Sequence, residues 1–122
     1  QMSKLSILIR NFSITPNLIL KNDIEERFDE NMRYTEDHDL LLRIARTHPI
    51  HKLVGAGIPT VLGRRPMTAG GLSGNRLGMR LGELQMYKKF LIRDVASFSY
   101  LPLVALIILG KLILEIVRAL RK

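Results

Sequence analysis

The tail of this chain constrains its fold more than any other feature. "VASFSYLPLVALIILG" (Val95–Gly110) runs into "KLILEIVRALRK", one apolar stretch interrupted by Lys111 and Glu115 before a basic end at Arg118, Arg121 and Lys122. A spanning helix needs about 20 predominantly apolar residues. The uninterrupted run stops short at Lys111; treating Lys111 and Glu115 as a pair one helical turn apart extends it to Ala119. Both flanks are positive, with Lys88, Lys89 and Arg93 ahead of the run, so charge asymmetry assigns no orientation. A span, a helix lying in the interface and a re-entrant hairpin bent at Pro102 or Gly110 all fit this pattern. A buried core or oligomer helix is the alternative that needs no membrane.

Charge sharpens the choice. Residues 1–60 hold eight Lys/Arg and eight Asp/Glu, whereas residues 61–122 hold eleven against three, so the whole net charge of +8 lies in the apolar half. Cationic and apolar together point to an anionic lipid surface. Nucleic acid is the rival partner for basic charge, but no stacking aromatics are interleaved with these cations, so no nucleic acid is expected. The absence of cysteine excludes disulfides and cysteine-based metal sites and permits a reducing compartment. Residues 1–20 lack the ordered basic, apolar and small-residue blocks of a cleavable signal. Residue 1 is Gln rather than Met, so the chain reads as an excerpt.

Two parts are expected, residues 1–75 and residues 76–122. In the first, "KLSILIR" (Lys4–Arg10) and "ITPNLILKN" (Ile14–Asn22) read as short strands separated at a polar break and Pro16. "DIEERFDENMRYTEDHD" is an acidic connector with apolar anchors at Ile24, Phe28 and Tyr34. A helix follows from a Thr35 cap, with Glu36 and Asp37 complementing its positive end, a stripe of Leu40, Leu41, Ile44 and Ala45, and Pro49 as its stop. "IHKLVGAGIPTVLGRR" (Ile50–Arg65) reads as strand and "PMTAGGLSGN" (Pro66–Asn75) as loop. In the second part, "RLGMRLGELQMYKKFLIRD" predicts an amphipathic helix with Leu77, Leu81, Leu84 and Leu91 on one side.

The residues with chemical potential cluster at the start of the first helix. A carboxylate in a helix's first turn is kept ionised by the dipole and backbone N–H groups, which suits a fixed general base. The same facts describe an ordinary cap. Asp37-His38-Asp39 also spells D-x-D, but residues two apart on a helix face different directions, poor geometry for one cation. His48 and His51 flank a proline-containing break and suit a solvated or hydrogen-bonding role better than a metal pair. Arg64 and Arg65, with the Gly/Ser loop and its Ser73, can hold a diphosphate through charge and backbone donors; a solvated turn is the plainer alternative. No Gly-Lys-Ser/Thr follows these glycines, so the loop is not a P-loop.

"FDENMRYTEDHDLLLRIA", with its lead-in "ITPNLILKNDIEERFDE", resembles the acceptor-side segment of family 2 glycosyltransferases, the inverting GT-A enzymes, where F-D-E, E-D and D-L-W/L-L-R recur in that order. "HKLVGAGIPTVLGRRPMTAGGLSGN" is similar to the family's return strand and the loop over the sugar nucleotide, and the basic apolar tail to its membrane-associating C-termini. The resemblance implies an α/β fold (α+β as a fragment), the C-terminal part of a GT-A sheet with covering helices. It implies that Asp37 is the general base, that Glu36 supports the acceptor, and that Asp39, Arg64, Arg65 and Ser73 assist substrate binding, with Arg43 supporting the same helix. It further implies a sugar-nucleotide donor and a glycan or lipid-linked hydroxyl as acceptor, at the cytoplasmic face of a membrane, peripheral or single-span.

The chain departs from the family in lacking the N-terminal nucleotide-binding half and its strand-borne D-x-D. A divalent cation, Mg or Mn, is therefore expected only with that half or a partner chain that supplies it, and no metal is expected within this chain. The Q-x-x-R-W phrase of processive synthases is absent, which favours single transfer. The alternative reading is a non-catalytic membrane-surface or interaction protein with a basic, apolar anchor. Half a sheet exposes an edge, so an isolated chain is expected to be loose, oligomeric or detergent-dependent.

Overall fold

The structure, a computed structural model, describes residues 1–11, 18–52 and 71–121. Its described residues form helices and connecting turns and contain no strand, which overturns the expected α/β fold with part of a GT-A sheet. The chain divides into two compact units, Gln1–Met86 and Tyr87–Lys122.

The first correction lies at the N-terminus. Lys4–Arg10, expected as a strand, is mostly helix α1 (Lys4–Ile9). Ser3 closes the first turn: its hydroxyl accepts from the Ser6 amide at 3.1 Å, while the Ser6 hydroxyl donates to the Ser3 carbonyl at 2.7 Å. A strand would place Ile7 and Leu8 on opposite faces, yet both are buried while Leu5 and Ile9 are exposed. The apolar cluster is thus served by a helical turn, and the local serine bonds decide in its favour. Residues 18–22 of the second expected strand form no strand, and residues 12–17 lie outside the described residues. The strand expected over residues 50–65 likewise falls almost wholly outside them.

Helix α2 (Glu36–Ile44) organises the first unit and packs against α1. Its buried residues are Leu40, Leu41, Leu42 and Ile44 besides His38 and Asp39. Leu40 and Ile44 join Ile24 in one cluster, with Ile50 packed against it. Each such side chain contributes about 1.5–3 kcal/mol on burial. The helix stops at Ile44, before Pro49, as the Arg46, Thr47 and His48 amides fold back onto the carbonyls of Arg43 and Ile44. Upstream, Asp29 shapes a turn by accepting from the Asn31 amide at 3.0 Å, and its carbonyl accepts from Met32 N–H at 3.0 Å.

Helix α3 (Arg76–Ile92) begins in the first unit and ends in the second. Its leucine stripe is not the buried side: Leu77, Leu81 and Leu84 are all exposed, and Gly78, Gly82 and Met86 are buried instead.

In the second unit, α3 gives way to the short α4 (Val95–Phe98), capped by Asp94, whose Oδ1 accepts from the Ser97 amide at 2.6 Å. A break at Ser99–Tyr100 precedes α5 (Leu101–Leu120), with Pro102 in its first turn, where its missing N–H costs nothing. Helix α5 continues through Gly110 without the bend that a re-entrant hairpin needs. Among the described residues no helix is long and apolar enough to cross a membrane. The physical reason is that the apolar run is divided at Ser99–Tyr100, and the 20 residues of α5 contain Lys111, Glu115 and Arg118. The Phe90 and Tyr100 rings meet edge-on at 5.9 Å, and Lys111 Nζ lies 5.7 Å from the centre of the Tyr87 ring.

Candidate functional site: the start of helix α2

The entry to α2 is fixed by a residue whose importance the sequence concealed. Tyr34 lies across the two glycines of α3, one turn apart and therefore on one face. A Cβ at Gly78 would stand 2.4 Å from Tyr34 Cζ, and one at Gly82 would stand 2.5 Å from Tyr34 Cβ and 2.9 Å from the Tyr34 carbonyl oxygen. Only glycine lets the ring and backbone come this close. Asn75 ties the same corner from two directions: its side-chain amide donates to Tyr34 Oη at 2.9 Å, and its Oδ1 accepts from the Gly78 amide at 2.9 Å, capping α3.

The next residue carries strain. Thr35 has φ 59° and ψ 21°, the only positive φ at a non-glycine among the described residues. A β-branched residue in the left-handed region is an outlier that costs about 1–3 kcal/mol and persists only where its surroundings over-determine it. Thr35 occupies the N-cap position as expected, yet its side chain does not cap. Its hydroxyl donates instead to the Tyr34 carbonyl at 2.6 Å. The seat on α3 and the turn at Thr35 together set the direction in which α2 starts.

The three residues of Asp37-His38-Asp39 then separate by role, as their 100° steps around the helix require. Asp37 is half-buried, and its Oδ1 accepts from the His38 amide at 2.8 Å. Among the described residues that bond engages only Oδ1 and leaves Oδ2 to take a proton. Glu36, also half-buried, begins the same turn. His38 is buried and its Nε2 donates to the Ile7 carbonyl at 2.6 Å, giving the last turn of α1 a partner it lacks within its own helix. Asp39, its side chain 2% exposed, pairs through Oδ2 with Arg43 Nε at 2.8 Å. Arg43 also donates to the Arg27 carbonyl at 2.5 Å, strapping the acidic connector to α2.

Of the residues singled out in the sequence, Glu36, Asp37, Asp39 and Arg43 therefore share α2. Ser73 lies in a 3₁₀ turn (Leu72–Gly74) that leads into Asn75, and through Asn75 to Tyr34. Arg64 and Arg65 lie outside the described residues. An open recess of about 330 Å³ is lined by Leu20, Lys21, Asn22, Glu26, Arg27, Phe28 and Leu40, and Asp37 is not part of it. Among the described residues no three His, Cys, Asp or Glu side chains stand close enough to hold a metal ion. Sequence reasoning gave Tyr34 only as an apolar anchor of the connector and missed Asn75, Gly78 and Gly82 as determinants of the site. The signals were the G-x-x-x-G spacing in "RLGMRLGEL" and an asparagine immediately before a helix.

No protein-family model, curated protein or solved structure matches the chain. The chemistry of the site rests on its own geometry.

Proposed function

We propose that this chain is the acceptor-side portion of a membrane-associated inverting sugar transferase, with Asp37 as its general base. The observation that carries the reading is the mounting of Asp37: a half-buried carboxylate in the first turn of a helix, with one oxygen held by a backbone amide. The turn itself is held by a strained Thr35. Strain of this kind gathers at functional sites. In the reaction, Asp37 Oδ2 takes the proton of an acceptor hydroxyl as its oxygen bonds to the anomeric carbon of a sugar nucleotide. The bond from that carbon to the diphosphate breaks, the nucleoside diphosphate leaves, and the anomeric configuration inverts. Glu36 supports the acceptor, while Asp39 and Arg43 hold the helix. The sugar nucleotide and its divalent cation belong to a nucleotide-binding half, and the proposal involves the helix rather than any sheet.

The test supplies the chain with such a half, fused or as a separate protein, and follows nucleoside diphosphate release. Asp37→Asn is expected to lower kcat by about 10²–10⁴-fold with little change in KM, the range for loss of a general base. An unchanged kcat ends the assignment. The second reading, a non-catalytic membrane-surface protein, is favoured by the exposed apolar residues of α5. It predicts vesicle binding that is indifferent to Asp37→Asn and no transfer under any condition.

A further inference from the structure

Helix α5 is amphipathic with its faces reversed relative to a soluble domain. Val104, its one buried residue, lies on the same side as Lys111 and Glu115, seven and eleven positions on, and Arg118, fourteen on. On that side Lys111 sits over the Tyr87 ring and Glu115 pairs with Arg118 at 3.5 Å. The opposite side is wholly apolar. Leu106, Leu109, Leu112, Ile113, Ile116 and Leu120 are each about half exposed or more, and the apolar arc covers more than half of the helix circumference. A soluble domain turns such a stripe toward its core.

Charge and dimensions select the occupant of this face. The unit from Tyr87 to Lys122 holds seven Lys/Arg against two Asp/Glu, a net of +5, so a second copy would bring like charge against like. The arc is also wider than the two-residue-per-heptad seam that one partner helix covers. A span is excluded by the same three ionisable residues that keep α5 from crossing a membrane. An anionic bilayer surface satisfies all of these at once, taking the apolar side into the boundary between headgroups and acyl chains and the cations among the headgroups.

We infer that α5 lies flat in the interface of an anionic membrane, with Leu106, Leu109, Ile113, Ile116 and Leu120 immersed and Lys111 and Arg118 on the side away from the acyl chains. The inference rests on the membrane side of the function proposed above and is independent of its sugar chemistry. Failed membrane docking and failed sugar transfer are thus separate results.

The full chain contains no tryptophan, so single substitutions give an unambiguous probe. Leu106→Trp, Leu109→Trp, Ile116→Trp and Leu120→Trp sample the apolar side along the helix, and Ile107→Trp samples the charged side. Each is titrated with vesicles of phosphatidylcholine alone or with about a third phosphatidylserine, the cationic contacts giving roughly a hundredfold preference for the second. Circular dichroism confirms that each variant keeps its helices. Lipids brominated at successive acyl positions then report depth. The flat helix gives the four apolar-side variants a blue shift and one common shallow depth, with Ile107→Trp quenched less. Depths graded from Leu106 to Leu120 overturn the inference in favour of insertion. A concentration-dependent blue shift without lipid quenching overturns it in favour of a second copy. No response to anionic vesicles overturns it together with the membrane part of the proposed function.

Discussion

The seat of Tyr34 on α3 can be tested by making one chemical change at two places. A Cβ added at Gly110 in α5 meets nothing within 4 Å, whereas a Cβ at Gly82 in α3 meets Tyr34 Cβ at 2.5 Å, the Tyr34 carbonyl oxygen at 2.9 Å and its carbonyl carbon at 3.1 Å. Gly→Ala in an exposed helix interior gains about 1 kcal/mol from backbone entropy. Gly110→Ala should realise that gain. At Gly82 the same gain is set against overpacking, which costs about 1–3 kcal/mol and falls in the upper part of that range when backbone must move. The backbone here belongs to the residue before a strained turn, and α2 would have to shift with it. The net expectation for Gly82→Ala is a loss of about 1–2 kcal/mol, so the two variants should differ by roughly 2–3 kcal/mol. Thermal unfolding followed at 222 nm should place Tm several degrees below the parent for Gly82→Ala and several above for Gly110→Ala. Gly78→Ala supplies the cycle, because its Cβ meets ring atoms of Tyr34. Its cost should turn into a gain once Tyr34→Ala has removed the ring. If Gly82→Ala is as stable as the parent, or if Gly78→Ala costs the same with and without the ring, Tyr34 does not sit where the structure puts it.

Two further outcomes test the mounting of α2. Arg43→Ala removes the Arg43 contact from the buried Asp39 carboxylate and should cost about 1.5–3 kcal/mol in urea unfolding; Arg43→Ala combined with Asp39→Ala should differ from the sum of the two single losses. Thr35→Gly removes the left-handed strain at φ 59° and should raise stability by about 1 kcal/mol in the same assay. A loss on Thr35→Gly would mean that the buried threonine side chain contributes more than its backbone costs.

The parts of this structure that follow from short-range rules were legible in the sequence. The start of α2 at Glu36, its apolar stripe of Leu40, Leu41 and Ile44, and the extent of α3 follow from 3.6-residue periodicity and first-turn charge, whereas the break at Ser99–Tyr100 that divides the tail does not. Lys4–Arg10 was misread because alternation of Leu5, Ile7 and Ile9 looks like a strand, while two serine bonds that close a helical turn carry little compositional signal. The leucine stripe of α3 misled for a related reason. Periodicity identifies which residues share a face, but whether that face is buried depends on what comes to meet the helix. At α3 the first unit offers Tyr34, and only a glycine pair can receive it. The acidic cluster was legible as a helix start, but its sorting into separate roles needed partners distant in sequence, Ile7 for His38 and Arg27 for Arg43.

That sorting bears on the role proposed for Asp37. Four acidic or basic side chains within five positions would ordinarily repel, titrate together or share a cation. Here α2 gives two of them partners of their own. Asp39 is taken up by Arg43 within the helix, His38 by the carbonyl of α1, and Thr35 by the backbone of Tyr34. Two carboxylates are left, Glu36 and Asp37, and of these Asp37 has its Oδ1 held by the His38 amide. A helix start built only for stability would place a capping hydroxyl at Thr35, worth about 1 kcal/mol, and would avoid a left-handed β-branched residue. This one forgoes the cap, keeps the strain, and fixes the turn from outside with Tyr34 and the glycines of α3. Under the function proposed above, Asp37→Asn should therefore lower turnover far more than it lowers stability.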